Sequence, residues 1–237
     1  MSLAIAAQPA PSAGVAAFLR RPPRLLIGGD WVKPSTDDRI PVIDPATGDE
    51  IAAVADASGA DVDKAVAAAR TAFERGPWAT MLPAQREALI WRLADLIDKN
   101  ADELAELESI DNGKTKQMAG IVDVPGARNY FRYMAGWATR LEGKTVTPSL
   151  PGEWHCYTTR EPVGVVGAIV PWNFPLLMAA WKVAPALVCG NAVILKPAEE
   201  TPLSALRLMS LIQEAGVPDG IVSIITGFGV PHLRSGI

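Results

Sequence analysis

The chain has only two cysteines in 237 residues, Cys156 and Cys189, and neither sits in a CxxC or CxxxC spacing. A disulfide framework and a structural zinc site therefore have no support, and a reducing cytoplasm fits. Basic excess is missing as well, with 22 Lys+Arg against 26 Asp+Glu and a formal charge of -4. A protein that grips nucleic acid needs a concentrated basic face, so that class of partner is not expected. Long hydrophobic runs are absent: residues 163–170 are apolar but interrupted by Gly164 and Gly167, far short of the roughly 20 residues that cross a bilayer, so no membrane partner is expected. The GxGxxG fingerprint of many dinucleotide folds is also missing, because Val230, Pro231 and His232 follow Gly227 and Gly229. Residues 1–24 lack any acid while carrying four prolines and Arg20, Arg21 and Arg24. They read as a disordered extension; an organellar targeting segment is the alternative, disfavoured by few hydroxyl residues and by basic residues clustered at one end.

What is present is ordinary globular composition, 49% hydrophobic and 20% charged, enough for one large domain or two modest ones. LLIGGDWV and RIPVIDPATGDEIAAVADA read as short strands joined by turns, together a small sheet. A helix opens at Asp61 and Asp63, with Val62, Val66, Ala69 and Phe73 as its expected core stripe. Helical spacing continues through Leu89, Leu93, Leu96 and Ile97, then Leu104 and Leu107, to a stop at Asn112-Gly113. A further helix is expected over 127–141, with Tyr130, Phe131, Met134 and Trp137 as packing residues. Residues 153–161 alternate as an extended strand would. From 163 the order is strand (163–170), turn (171–174), helix (175–188), strand (192–195), loop (196–200), helix (201–214), strand (222–225). That alternation predicts an α/β fold with a parallel sheet of βαβ units, whose ligands bind at the carboxyl ends of the strands.

Two connections fall at that end. PWNFP places an uncharged amide, Asn173, between Pro171 and Pro175, whose fixed φ angles hold it still. Such an amide can donate to an oxygen that gains negative charge without perturbing a nearby nucleophile. It can equally cap the helix that begins near Pro175, and the residues alone favour the cap. In KPAEE, Glu199 lies 26 positions after Asn173, close to the spacing at which an acid bonds a cofactor ribose, with Lys196 beside it. Glu199 can instead complement the next helix dipole, and Lys196 can be a solvated lysine. His155 and Cys156 adjoin, but neighbours on a strand point to opposite faces, which argues against a catalytic pair. Cys189 reads as a small buried residue at a helix end, and His232 has no recognisable partner.

VPWNFP and KPAEETP, in this order and with LIGGDWV, VIDPATGDEIAAVADA and DNGK upstream, resemble the N-terminal half of the NAD(P)-dependent aldehyde dehydrogenase superfamily over residues 25–229. The resemblance implies 25–152 as N-terminal strands plus helices, 153–162 as part of an oligomerisation strand, and 163–237 as the first half of a Rossmann-like dinucleotide domain. In that family a cysteine thiolate attacks the aldehyde, the PWNFP Asn holds the oxyanion, hydride passes to the nicotinamide, and a Glu-activated water releases the acid. By resemblance Asn173 is the oxyanion donor; Ile169, Val170, Pro171 and Trp172 line the cofactor site; Lys196 and Glu199 hold the ribose, with NAD preferred over NADP; and Gly229 approaches the adenine-pyrophosphate side. No residue here matches the family's nucleophilic Cys or general-base Glu, so the chain is expected to be inactive alone. A homo-oligomer, or pairing with a full-length relative, is the expected partnership.

Overall fold

In the computed structural model, which describes residues 10–229, three parallel strands form one side of a five-stranded sheet. They are β7 (Val165–Ile169), β8 (Ala192–Lys196) and β9 (Val222–Ile224), linked by helices α7 (Pro175–Val188) and α8 (Leu203–Glu214). Strand β8 is buried over Ala192, Val193, Ile194 and Leu195 because parallel neighbours flank it and helices cover it, so its sequence is a continuous apolar run. The expected strand-helix-strand order holds to within two residues at each boundary.

The N-terminal strands divide differently from expectation. Strands β1 (Leu25–Ile27) and β2 (Asp30–Val32) form a hairpin through Gly28 and Gly29, both at positive φ, and β1 then pairs antiparallel with β9. The sheet order is β2-β1-β9-β8-β7, while β3 (Arg39–Ile43) and β4 (Glu50–Ala55) make a separate pair. Strand β9 would otherwise present an unpaired edge, and the fully buried LLI of β1 satisfies it.

Helices α2 (Gly59–Arg75), α3 (Pro83–Lys99), α4 (Ala101–Asn112), the short α5 (Lys116–Met118) with a π-helical turn (Ala119–Asp123), and α6 (Val124–Ala135) complete the body. Helix α6 begins and ends earlier than expected; it fully buries Phe131 and packs Tyr130 and Met134 partly against the core, as expected, while Tyr133 and Trp137 are exposed. In α2 the buried residues are Asp61, Ala65 and Ala69; of the expected stripe Ala69 is buried and Phe73 packs against the core, while Val62 and Val66 are exposed. The reason is Asp61: its carboxylate accepts hydrogen bonds from Ser35 and Ser58, which turns that face inward.

Two further expectations change. Residues 13–19 of the presumed disordered extension form a helix, α1 (Ala13–Leu19), capped by Ser12, with Val15 and Phe18 buried against Ile40, Val42, Val54, Leu107 and Leu203. Apolar residues at i, i+3 and i+4 supply that stripe, masked by the surrounding alanines; residues 1–9 lie outside the described part. The strand expected at 153–161 is reduced to β6 (Cys156–Tyr157), paired with β5 (Thr145–Val146), in an exposed arm that carries Trp154 and Tyr157. The His155 and Tyr157 rings lie 5.3 Å apart, tilted by 48°, with Cys156 between them in sequence. Among the described residues no helix is long and apolar enough to cross a membrane.

Candidate functional site

Strand β7 ends at Ile169, which pairs in register with Lys196 at the end of β8, so both candidate connections leave the sheet at one rim. The Val170 N–H donates to the Lys196 carbonyl at 3.1 Å, and Val170 is buried. Then the chain turns outward: Ile169 is 74% and Trp172 58% exposed, and Pro171 and Asn173 are exposed as well.

Asn173 does not cap α7. The N-cap is Phe174, no side chain caps it, and Pro175 occupies the first turn, where its missing N–H does no harm. The N–H of Leu176 is instead met by the Glu108 carboxylate from α4, at 3.4 Å. The turn backbone is held from the same quarter. Trp172 O accepts from Asn112 Nδ2 at 2.8 Å and from Thr201 Oγ1 at 3.2 Å, and Asn173 O accepts from Lys114 Nζ at 3.3 Å. The Asn173 carboxamide makes no hydrogen bond to the described residues, so the turn spends its backbone on the frame and presents its amide to solvent.

Beneath this turn lies a buried charge cluster. Lys114 Nζ stands 2.6 Å from Asp123, 3.6 Å from Glu108 and 4.4 Å from the Phe174 ring centroid. Asp111 accepts from the first N–H of α8, Leu203, at 2.7 Å. Two adjacent acids of α4 thus meet the positive N-terminal ends of both helices that follow the rim. Burial pushes the Glu108 carboxyl up to about 7, with Lys114 opposing and Asp123 reinforcing the rise. Burial likewise raises Asp111 well above its usual value, against the pull of the Leu203 N–H. Sequence reading took Asn112-Gly113 as a stop and passed over these acids. The available signal was that Leu104, Leu107, Glu108 and Asp111 share one helical stripe, and acids on an apolar stripe need partners.

In the second connection Lys196 Nζ donates to Glu199 Oε2 and to Pro197 O, each at 3.0 Å. Burial would raise the Glu199 pKa, but the hydrogen bond and charge of Lys196 outweigh it and hold the carboxyl below its usual value. Helix α8 has Pro202 at its N-cap and no side-chain cap, so Glu199 does not serve as its cap. Lys196 and Gly229 line one cleft of about 160 Å³ with Ser58, Val62, Thr226 and Phe228. The exposed Val62 therefore faces a cleft. A Cβ placed on Gly229 would meet nothing within 4 Å. All eight sequence-derived candidates lie along this rim, five on the first connection and three around the second.

Neither cysteine joins them. Cys156 is exposed on the arm, and Cys189, half-buried where full burial was expected, closes the far end of α7. Fourteen helical residues put it about 20 Å from the turn. His232 lies outside the described residues.

The profile described as "Aldehyde dehydrogenase family" matches residues 31–233. The chain is 50% identical over 215 residues to a phenylacetaldehyde dehydrogenase of Pseudomonas fluorescens, covering 89% of this chain and 43% of that protein. It is 47% identical to a mitochondrial benzaldehyde dehydrogenase of Antirrhinum majus, covering 87% and 38%. An NAD+ complex of aldehyde dehydrogenase from Bacillus cereus superposes with a TM-score of 0.89 at 45% identity, covering 93% of this chain and 44% of that one. The chain spans less than half the length of each.

Proposed function

This chain belongs to the aldehyde dehydrogenase family, and on that premise we propose that it carries the oxyanion-binding and adenosine-binding half of an enzyme that oxidises an aldehyde to a carboxylic acid with NAD. The observation that carries the reading is Asn173: its carboxamide is open to solvent at the sheet's carboxyl rim while three hydrogen bonds hold the backbone of the turn. When a thiolate adds to a carbonyl, the oxygen becomes an alkoxide, and a pre-positioned N–H donor stabilises that charge more than it stabilises the ground state. A bound nicotinamide cofactor supplies the hydride acceptor. Lys196 and Glu199 fit the ribose hydroxyls, one donating and one accepting. Glu199, held charged by its lysine, repels a 2′-phosphate and favours NAD over NADP. Ile169, Pro171 and Trp172 would form the wall between these groups, with buried Val170 behind them, and Gly229 would leave room on the pyrophosphate side. Exposed Phe174 and Trp181 put apolar surface at the start and on the flank of α7, which suits an aromatic or apolar aldehyde, as do the names of the two relatives above.

The chemistry also needs a thiolate near Asn173, and neither Cys156 nor Cys189 is placed to provide one, so the purified chain should form no NADH from phenylacetaldehyde. NADH formation abolished by Cys156→Ala would overturn this. Titration with NAD is expected to show binding that Glu199→Ala weakens about tenfold, a change of roughly 1.4 kcal/mol; equal affinities would remove the ribose role. Fused to the C-terminal half of a relative, Asn173→Ala should lower kcat by about 10²–10³.

A second reading is favoured by the arm at residues 141–162. Its exposed Trp154, Tyr157, Val146 and Leu150 suit pairing with another copy or with a full-length relative. Sedimentation of the chain with and without Trp154→Ser/Tyr157→Ser tests it, and a monomer in both cases rejects it.

A further inference from the structure

A cavity of about 250 Å³ lies away from the rim, between α1 and the segment that follows it, β4, and the first turns of α8. Its walls are apolar, with Phe18, Leu19, Trp31, Val54, Leu203 and Leu206 prominent, and it includes none of the rim residues. The charged groups on its lining are two, Arg21 and Arg24, separated by Pro22 and Pro23. The Arg21 guanidinium sits 5.1 Å over the Phe18 ring, and Arg24 Nη1 donates to Trp31 O at 3.4 Å. Neither is paired with a carboxylate among the described residues.

This combination is selective. The prolines fix φ and favour an extended segment with about three residues per turn, so side chains at i and i+3 leave on the same side. Both guanidinium groups line the cavity, one held over the Phe18 ring and the other on the Trp31 carbonyl. Guanidinium matches a carboxylate in planar, bidentate geometry, and at the edge of a water-poor apolar wall that attraction is less screened than on an open surface. The walls ask for an apolar body. The volume lies below the roughly 300–1,000 Å³ of drug-sized sites, which limits that body to one ring or a short chain.

We propose that this cavity binds an aryl or short-chain alkyl carboxylate, its apolar body between Phe18, Trp31, Val54 and Leu206 and its carboxylate on Arg21 and Arg24. The binding claim stands independently of the catalytic reading. Its physiological meaning rests on that reading: aldehyde oxidation releases this class of molecule, so the site would register product at a distance from the rim.

Calorimetric titration of the purified chain with phenylacetate and with butanoate tests the site. Saturable one-to-one binding is expected in the range of about 0.1–1 mM for at least one acid. Arg21→Gln/Arg24→Gln, at exposed or half-exposed positions, should weaken it at least tenfold, and Ala53→Trp should abolish it by filling the lining, with circular dichroism unchanged in both. Phenylacetamide should bind at least tenfold more weakly than phenylacetate, and NAD should not displace the acid. The proposal is overturned by no binding up to about 10 mM, by equal affinity for acid and amide, by inorganic phosphate binding as tightly as the acids, or by competition with NAD. Acid binding in a chain that fails to bind NAD keeps the site while removing its product-sensing meaning.

Discussion

The turn at residues 170–174 and the loop at residues 196–200 leave neighbouring parallel strands at the same end of the sheet, yet they are fixed in different ways. The first is braced from outside: Asn112, Lys114 and Thr201 take its carbonyls, and Glu108 takes the first N–H of the helix it leads into. The second is held by its own side chains, Lys196 and Glu199 pairing across three residues. A braced turn can leave its functional side chain unpartnered and aimed outward. A self-paired loop must give up part of its own ion pair when a ligand arrives. The difference teaches that one rim joins a braced turn to a self-paired loop, which the proposed function uses as a rigid donor and an exchangeable clamp, and each half can be broken separately.

Lys114→Ala should have the largest effect. It leaves Glu108 and Asp123, both buried, without their cation. Breaking such a buried pair costs about 3–5 kcal/mol, read as a lower urea midpoint with an unchanged slope. A loss below about 1 kcal/mol would mean that the turn carries itself as the loop does, and the comparison would fail.

The same cluster should impose a pH dependence opposite in sign to that of the loop, where Glu199 is held below its usual value. Glu108, pushed up to about 7 mainly by burial, keeps a proton in the folded chain that the unfolded chain releases near 4.5. Between those values the folded state binds more protons, so stability falls as pH rises from about 4.5 to 7 and levels off beyond. Asp111 shifts in the same direction. Glu108→Gln, which keeps an acceptor for Leu176, should flatten much of that slope in urea melts run at successive pH values. Asp61 works with the opposite sign at the other end of the scale. Burial opposes its ionisation, but hydrogen bonds from Ser35 and Ser58 hold it at about 2, so its contribution is present above the unfolded value of 3.8 and lost as pH falls through 2.

The contrast between the two connections also marks what could be read from the sequence. The parallel core was legible because β8, buried on both faces, must be apolar throughout, and because Pro175 and Gly113 sit where helix ends need them. The rim was legible because topology alone puts both connections at the carboxyl ends. What supports the rim was not. Glu108 and Asp111 show only their place on an apolar stripe, which marks them as partnered without naming the starts of α7 and α8 as the partners, and nothing local sets Asp123 apart. The stripe of α2 was misjudged for a related reason: Val62 and Val66 outweigh Ala65 in any hydrophobicity pattern, yet the hydrogen bonds of Asp61 decide which face turns inward. The family resemblance located the candidate residues; it said nothing of what holds them in place.

A smaller effect is expected from the two donors to Trp172 O. Asn112→Ala or Thr201→Val alone leaves the carbonyl one partner, and each should cost about 1 kcal/mol or less. Together they leave it with neither donor, so the double variant should exceed the sum by about 0.5–1 kcal/mol in a double-mutant cycle. Strict additivity would show that the donors do not share one acceptor in solution.

The smallest stability effect belongs to the loop. Lys196 and Glu199 are partly exposed, and an i, i+3 pair in contact with water is worth under about 1 kcal/mol. Glu199→Gln should therefore leave the urea midpoint almost unchanged while it weakens NAD binding, because the amide loses the charge but not the shape. Lys114→Ala should do the reverse, lowering stability strongly and changing NAD affinity little at denaturant-free conditions, since Lys114 touches the turn and not the ribose clamp. If Glu199→Gln proves the more destabilising of the two, the loop is structural and the turn is free, and the roles assigned to the two connections must be exchanged.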